Sequence, residues 1–467
     1  MARAHKTSNW RFLAFALPGV QTAIVHGPVG LVVPSIYATE FGLSLAVTGA
    51  AIFISRILDV VIDPAIGFLS DHTQTRIGRR KPWIVGGAVL TMLATWFLFV
   101  PPPHPSLAYF FVWYVAVYFA WTLCEIPHAA WGFEITREYA ERSRVLSFRV
   151  FATAIGSVLF LLIPFLPIFR STAITGETLR FIAILALALV PVTVGAAVLW
   201  APEGAPLEAS ERYGLMDLVA LVRGNRALII FLAGFIFSGF AEGMSAGLAF
   251  LYFTNFLGMA KQYPVIGLVQ LVSAMAIMPF TPWILARFGR LRVWAANVVL
   301  GIALFLLVLL LPHSPAALPY LVPITVVLGA QIVVRGVAAL GVLGDLVDFD
   351  TLRTGKKRAA IFTALYALVV KLNAAVGASA AMMIVGFFGY QPKLGLGNSA
   401  HAQLGMQLAF VVIPSLLYAA ALVFIATFPI HRRRQAVISR RLDQREARAV
   451  RLAAATIAAA PPVLAAE

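Results

Sequence analysis

Arg56, Asp59 and Asp63 stand in the run SRILDVVIDPAIGFLSD, three and four residues apart. On a helix that spacing stacks all three on one face. Two carboxylates one turn apart repel unless a cation or proton sits between them or a basic group neutralises one. The pair therefore reads as a place where Na⁺ or H⁺ binds and relieves the repulsion. The alternative is an ion-pair ladder on Arg56 with a purely structural role. Thr122 and Glu125 in WTLCEIPHAAW add a hydroxyl and a carboxylate suited to completing the cluster. His128, three residues on, reads either as a packed, hydrogen-bonded ring or as a proton relay. Lys371 in ALVVKLNAAVG needs a carboxylate partner across a cavity, while Glu242 in GFAEGMSAG and Arg335 in IVVRGVAA either pair with each other or face a charged substrate.

These charges matter because of what surrounds them. The 467-residue chain is 61% hydrophobic and 12% charged, against about 25% charged residues in soluble domains. Its apolar residues form twelve blocks, near 11–39, 45–70, 82–101, 106–136, 143–168, 178–201, 226–257, 262–286, 292–312, 317–347, 357–390 and 404–429. Each approaches the roughly 20 helical residues that cross a hydrocarbon layer of about 30 Å. A charge at the centre of such a helix costs about 2.5–3.5 kcal/mol even on lenient scales, so each needs a partner or a wet cavity. The fold class expected is an all-α membrane protein of twelve transmembrane helices.

The net charge of +16 invites a nucleic-acid partner, but the basic residues lie in short stretches between apolar blocks and none is expected. With both termini on the cytoplasmic side of an inner membrane, 29 Lys and Arg fall in cytoplasmic segments. Arg170, Arg180, Lys261 and Lys393 fall in external loops, and Arg56, Arg335 and Lys371 lie within apolar blocks. The basic N-terminus lacks a small-residue cleavage site and reads as a retained first helix. The single Cys124 precludes an intrachain disulfide. At the cytoplasmic edge, Asp71, Arg79 and Arg80 in DHTQTRIGRRKPW, with Asp345, Asp348, Asp350 and Arg358 around FDTLRTGKKR, suit a charge latch at an inner gate; ordinary solvated loop charges are the other reading.

The longest polar connection, with Glu203, Glu208, Glu211, Arg212 and Asp217, divides the chain into an N-terminal six-helix bundle (1–201), a linker (202–225), a C-terminal six-helix bundle (226–430) and a cytoplasmic tail (431–467). This is the two-half layout of major facilitator transporters, whose substrate site lies between the halves. The tail reads as a surface helix followed by a disordered Ala/Pro end.

The segments IDPAIGFLSD, TRIGRRKPW, CEIPHAAW, LSFRVFATAIGS, GDLVDFDTLRTGKKRAA and VVKLNAAVGASA resemble, in order and over most of the chain, the glycoside–pentoside–hexuronide:cation symporter family. The resemblance implies a cation site from Asp59, Asp63, Thr122 and Glu125 linked to Lys371, with Arg149 shaping a sugar site. Its sodium users have Asn where this chain has Ile62, a loss that favours protons because Na⁺ needs several hard oxygens. The first helix offers Gln21, Thr22 and His26 where sugar-binding relatives carry an acid.

The expected function is cation-coupled symport of a sugar, glycoside or uronate by alternating access, H⁺ preferred over Na⁺, by a monomer without further cofactor. A lysolipid-like or other amphipathic substrate is the alternative, and an intramembrane prenyltransferase-type enzyme a remote one. The latter needs two facing aspartate-rich motifs that this chain does not supply.

Overall fold

The computed structural model describes residues 8–136, 138–204, 215–356 and 358–459. Glu208, Glu211 and Arg212 of the linker, and the Ala/Pro end from residue 460, lie outside the described residues. The described residues are helical with no strand, as lipid demands, because a spanning segment must bond every backbone N–H and C=O within itself.

Among the described residues, twelve helices are long and apolar enough to cross a membrane: α1 Asn9–Leu31, α2 Leu45–His72, α3 Lys81–Phe99, α4 Leu107–Glu134, α5 Glu141–Phe165, α6 Gly176–Trp200, α7 Arg226–Phe256, α8 Tyr263–Phe288, α9 Arg290–Val308, α10 Pro315–Thr354, α11 Ala359–Phe387 and α12 Ala400–Ala426. Each matches one expected block, with one shape difference. The block 11–39 is broken near Val32, and Val33–Glu40 forms a separate short helix with Pro34 in its first turn. The proline's missing N–H is harmless there and would break a ladder further in. Arg149, within the expected block 143–168, lies inside α5.

The first six spans pack chiefly on one another and so do the last six; the groups meet mainly along α2 and α11. At the end of the molecule away from the basic loops this seam is tight. A Cβ on Gly49 would lie 2.9 Å from the Ser379 carbonyl oxygen, and one on Gly386 would overlap the Ala46 backbone nitrogen. Thr172 also donates to the Lys261 carbonyl at 2.8 Å across the groups. Along α2, Leu45, Ile52, Asp59 and Ile66 are buried on one face, whereas Val47, Ile54, Val61 and Phe68 are exposed on another.

The tail helix α13, Arg432–Ala459, docks on the basic end of α10. Ile438 is buried there, Gln435 donates to Asp348 at 2.8 Å, and Arg445 donates to the Leu352 carbonyl at 2.8 Å. A surface helix was expected from composition; its seat on α10 is set by these contacts.

Candidate functional site

Where α2 and α11 part company, a cavity of about 580 Å³ opens between the two groups of spans. Its charged wall consists of Arg56, Asp59, Asp63 and Lys371. Lys371 of the second group reaches across the seam to Asp63 of the first, forming an ion pair and hydrogen bond. The other Asp63 oxygen accepts from the Thr122 hydroxyl at 2.9 Å. Pro64 follows immediately inside α2; lacking an N–H, it leaves a carbonyl one turn back without its helical partner.

Asp59 is held differently. Arg56 donates to it at 3.1 Å along α2, and the Arg56 guanidinium lies 3.5 Å over the Tyr118 ring. Such a cation–π contact is worth up to about 2 kcal/mol when desolvated. Glu125 pairs with Arg149 across α4 and α5. Of the four oxygen-bearing residues expected to form one cation site, the structure thus joins Asp63 to Thr122. It gives Asp59 and Glu125 each its own arginine. Arg149 and Glu125 lie outside the cavity-lining residues, as does His128. His128, expected in the cavity, is buried with Nε2 2.8 Å from the Phe15 carbonyl oxygen and its ring against Phe15. It packs α4 on α1, the first of the two readings its sequence position allowed.

Glu242 and Arg335 pair with one another and line a side lobe of about 400 Å³ in the second group of spans. The lobe shares Gly243, Ala246, Val370 and Ala374 with the central cavity. Arg335 also donates to the Tyr418 hydroxyl at 2.5 Å. The Arg335 side chain is 9% exposed and the Glu242 side chain 41%, so removing the acid strands a buried cation. Glu242→Leu should destabilise the fold by about 3 kcal/mol, and the double variant Glu242→Leu/Arg335→Leu should recover most of that loss. Thermal unfolding of purified protein in detergent reads both.

The charges of the basic end pair inside each group. Arg80 meets Asp71 at 2.5 Å, and Arg79 and Arg80 share Glu134 at 2.6 and 2.7 Å. Arg290 pairs with Asp345 and Arg358 with Asp350 at 2.7 Å. Glu134 and Arg290 are partners that sequence reasoning did not single out.

Sequence reasoning also passed over the cavity's aromatic wall. Tyr114, Tyr118 and Trp121 occupy one face of α4 at spacings of four and three, and all line the cavity with His26 of α1. Their rings touch in series: Tyr114 on Tyr118 with centroids 5.0 Å apart, Tyr118 on Trp121 at 6.0 Å, Trp121 on His26 at 5.5 Å. The spacing is a legible signal, hidden here in the aromatic-rich run YFFVWYVAVYFAW.

Two groups of six spans, an ion pair across their seam and a central cavity define a transporter of the major facilitator class, not an enzyme. The chain belongs to the family described as MFS/sugar transport protein, whose profile matches residues 14–432. It is 24% identical to the uncharacterized symporter YnaJ of Bacillus subtilis, over 91% of this chain and 92% of that protein. It is 23% identical to the sodium-dependent lysophosphatidylcholine symporter 1-A of Danio rerio, over 94% of this chain and 89% of the other. Among solved structures, the nucleoside transporter NupG superposes with a TM-score of 0.66 at 15% identity, covering 91% of this chain and all of that one. A bacterial homologue of the human lysosomal transporter Spinster, inward-facing and unoccupied, gives 0.67, at 14% identity over 91% of this chain and 98% of that one. At these identities the structures speak for the fold.

Proposed function

We propose that this protein is a symporter that couples entry of a sugar, glycoside or uronate to a cation by alternating access, with both termini and the basic loops on the cytoplasmic side. The observation that carries the reading is the Lys371–Asp63 pair. An ammonium group from one half occupies a carboxylate of the other, in the place a coupling cation would take. Arrival of the cation frees Lys371, breaks the ionic tie across the seam and lets the halves rock. The tight seam at Gly49, Ser379 and Gly386, with the cavity on the basic-loop side of it between residues 52–64 and 367–378, supports a state open to the cytoplasm. The charges of Asp71, Arg79, Arg80, Asp345, Asp348 and Arg358, paired within their own halves or with α13, are read as gate groups in their open arrangement. Asp63 gathers one hydroxyl, Thr122, and Ile62 adds no oxygen, which favours H⁺ over Na⁺.

A second reading, transport of an amphipathic molecule, draws on the aliphatic α11 wall at Ala367, Leu368, Val370 and Leu372 and on the lysophosphatidylcholine symporters among the relatives. The deciding experiment records pH and Na⁺ in vesicles holding the protein while sugars, glycosides and uronates are added. External alkalinisation on adding one compound is the expected result. Sodium entry without proton movement would replace H⁺ by Na⁺. Silence across the panel, with lysolipid flux present, would overturn the sugar reading.

A further inference from the structure

The aromatic wall carries polar atoms with nothing to bond. His26 Nδ1 and Trp121 Nε1 are shielded from solvent and have no hydrogen-bond partner. Among the described residues no hydrogen bond holds the other His26 nitrogen either; the imidazole lies tilted against the Trp121 ring, with centroids 5.5 Å apart. His128, the other histidine of this region, bonds the Phe15 carbonyl, so an idle imidazole is not the rule in this half. Buried polar groups without partners are costly, and these two lie, with the equally unpartnered Tyr114 hydroxyl, in the wall of the central cavity.

We propose that His26 and Trp121 form a specificity-determining subsite that reads one hydroxyl of a saccharide ring; the inference rests on the sugar reading above and deepens it. The indole N–H is a donor only, whereas a neutral imidazole offers one donor and one acceptor. A hydroxyl both donates and accepts, so a single sugar hydroxyl can accept from Trp121 and donate to His26 after a small turn of either ring. The apolar C–H face of a pyranose then lies against the same rings. Arg56 already lies over Tyr118, which ties this wall to the ion-pair floor at Asp59. An acyl chain in this place would leave all of these nitrogens unbonded.

The test uses the purified full-length protein and a panel of methyl pyranosides with their monodeoxy analogues, measuring binding directly. Wild type should bind at least one parent glycoside ~10-fold or more tighter than one of its monodeoxy analogues, since a site built to bond a hydroxyl rejects the analogue lacking it. His26→Phe keeps the stack and removes both nitrogens, and Trp121→Phe removes the N–H. Each should lower the ratio several-fold, and the two together should bring it to about 1, by weakening the parent while leaving the analogue's affinity unchanged. His26→Gln, which keeps a donor and an acceptor, should restore part of it. Retained analogue binding certifies a folded site, and if His26→Phe does not fold, Trp121→Phe decides alone. Undiminished discrimination in both Phe variants overturns the subsite and leaves sugar symport standing. A wild type that binds no pyranoside, and moves no ion with any, overturns both.

Discussion

Asp63→Asn is expected to reduce accumulation of substrate against its gradient to equilibration, with the protein still folded in the membrane. A single cation crossing 100 mV gains about 2.3 kcal/mol, enough to hold a neutral solute roughly 50-fold concentrated. Coupling at that strength requires that ion binding and the conformational change be linked through one group. On the proposed mechanism Asp63 is that group: among the described residues it alone bonds both Lys371 of the other half and Thr122 of its own. Asparagine keeps the size and a hydrogen bond to Thr122 but carries no charge for Lys371 or for an incoming cation. The ~50-fold ratio should therefore fall to about 1, while downhill flux, read by counterflow, persists in part. Asp59→Asn is expected to abolish concentrative uptake as well, through the loss of charge beside Arg56. Accumulation at the wild-type level in both variants would sink the assignment.

Gly386→Leu should act on the cycle as strongly, at a site with no chemistry at all. The glycine lies against Ala46 where the halves close away from the basic loops, and a Cβ there would overlap the Ala46 backbone. Backbone cannot step aside as a side-chain tip can, so the closed seam becomes inaccessible. The carrier is then held open on that face. Transport should drop by at least ~10-fold, which corresponds to a bias of only about 1.4 kcal/mol between states. Single-cysteine labelling distinguishes this from misfolding. With Cys124 replaced by Ala and Val370→Cys placed in the cavity wall, a membrane-impermeant thiol reagent should gain access from the face opposite the basic loops. Labelling that stays confined to the basic side would show that the seam closes despite the leucine.

The twelve spans were legible in sequence because hydrophobic length is a one-dimensional property, readable without knowing what packs on what. The break at Val32 was not, since apolar residues continue through it and only Pro34 marks the place. Much of the site was legible too, because charge inside a span is rare enough to stand out: Arg56, Asp59, Asp63, Lys371, Glu242 and Arg335 all announce themselves. How they pair was not. The choice of Arg149 for Glu125, rather than a shared site with Asp63, depends on the distance between α4 and α5, which no spacing along the chain reveals. His128 and His26 make the same point in opposite senses. Both are histidines in apolar surroundings, and only the neighbouring carbonyl of Phe15 or its lack separates a packing residue from an open one.

The pairing of these intramembrane charges has an electrical consequence. Arg56 with Asp59, Lys371 with Asp63, Arg149 with Glu125 and Arg335 with Glu242 each sum to zero. Because these eight charges sum to zero whether or not the Lys371–Asp63 tie is made, the unloaded carrier moves no net charge through the field, so membrane voltage exerts no pull on its return. On the proposed cycle only the step that carries the bound ion is electrogenic, and voltage should set the rate of loading and delivery while leaving the empty reset untouched.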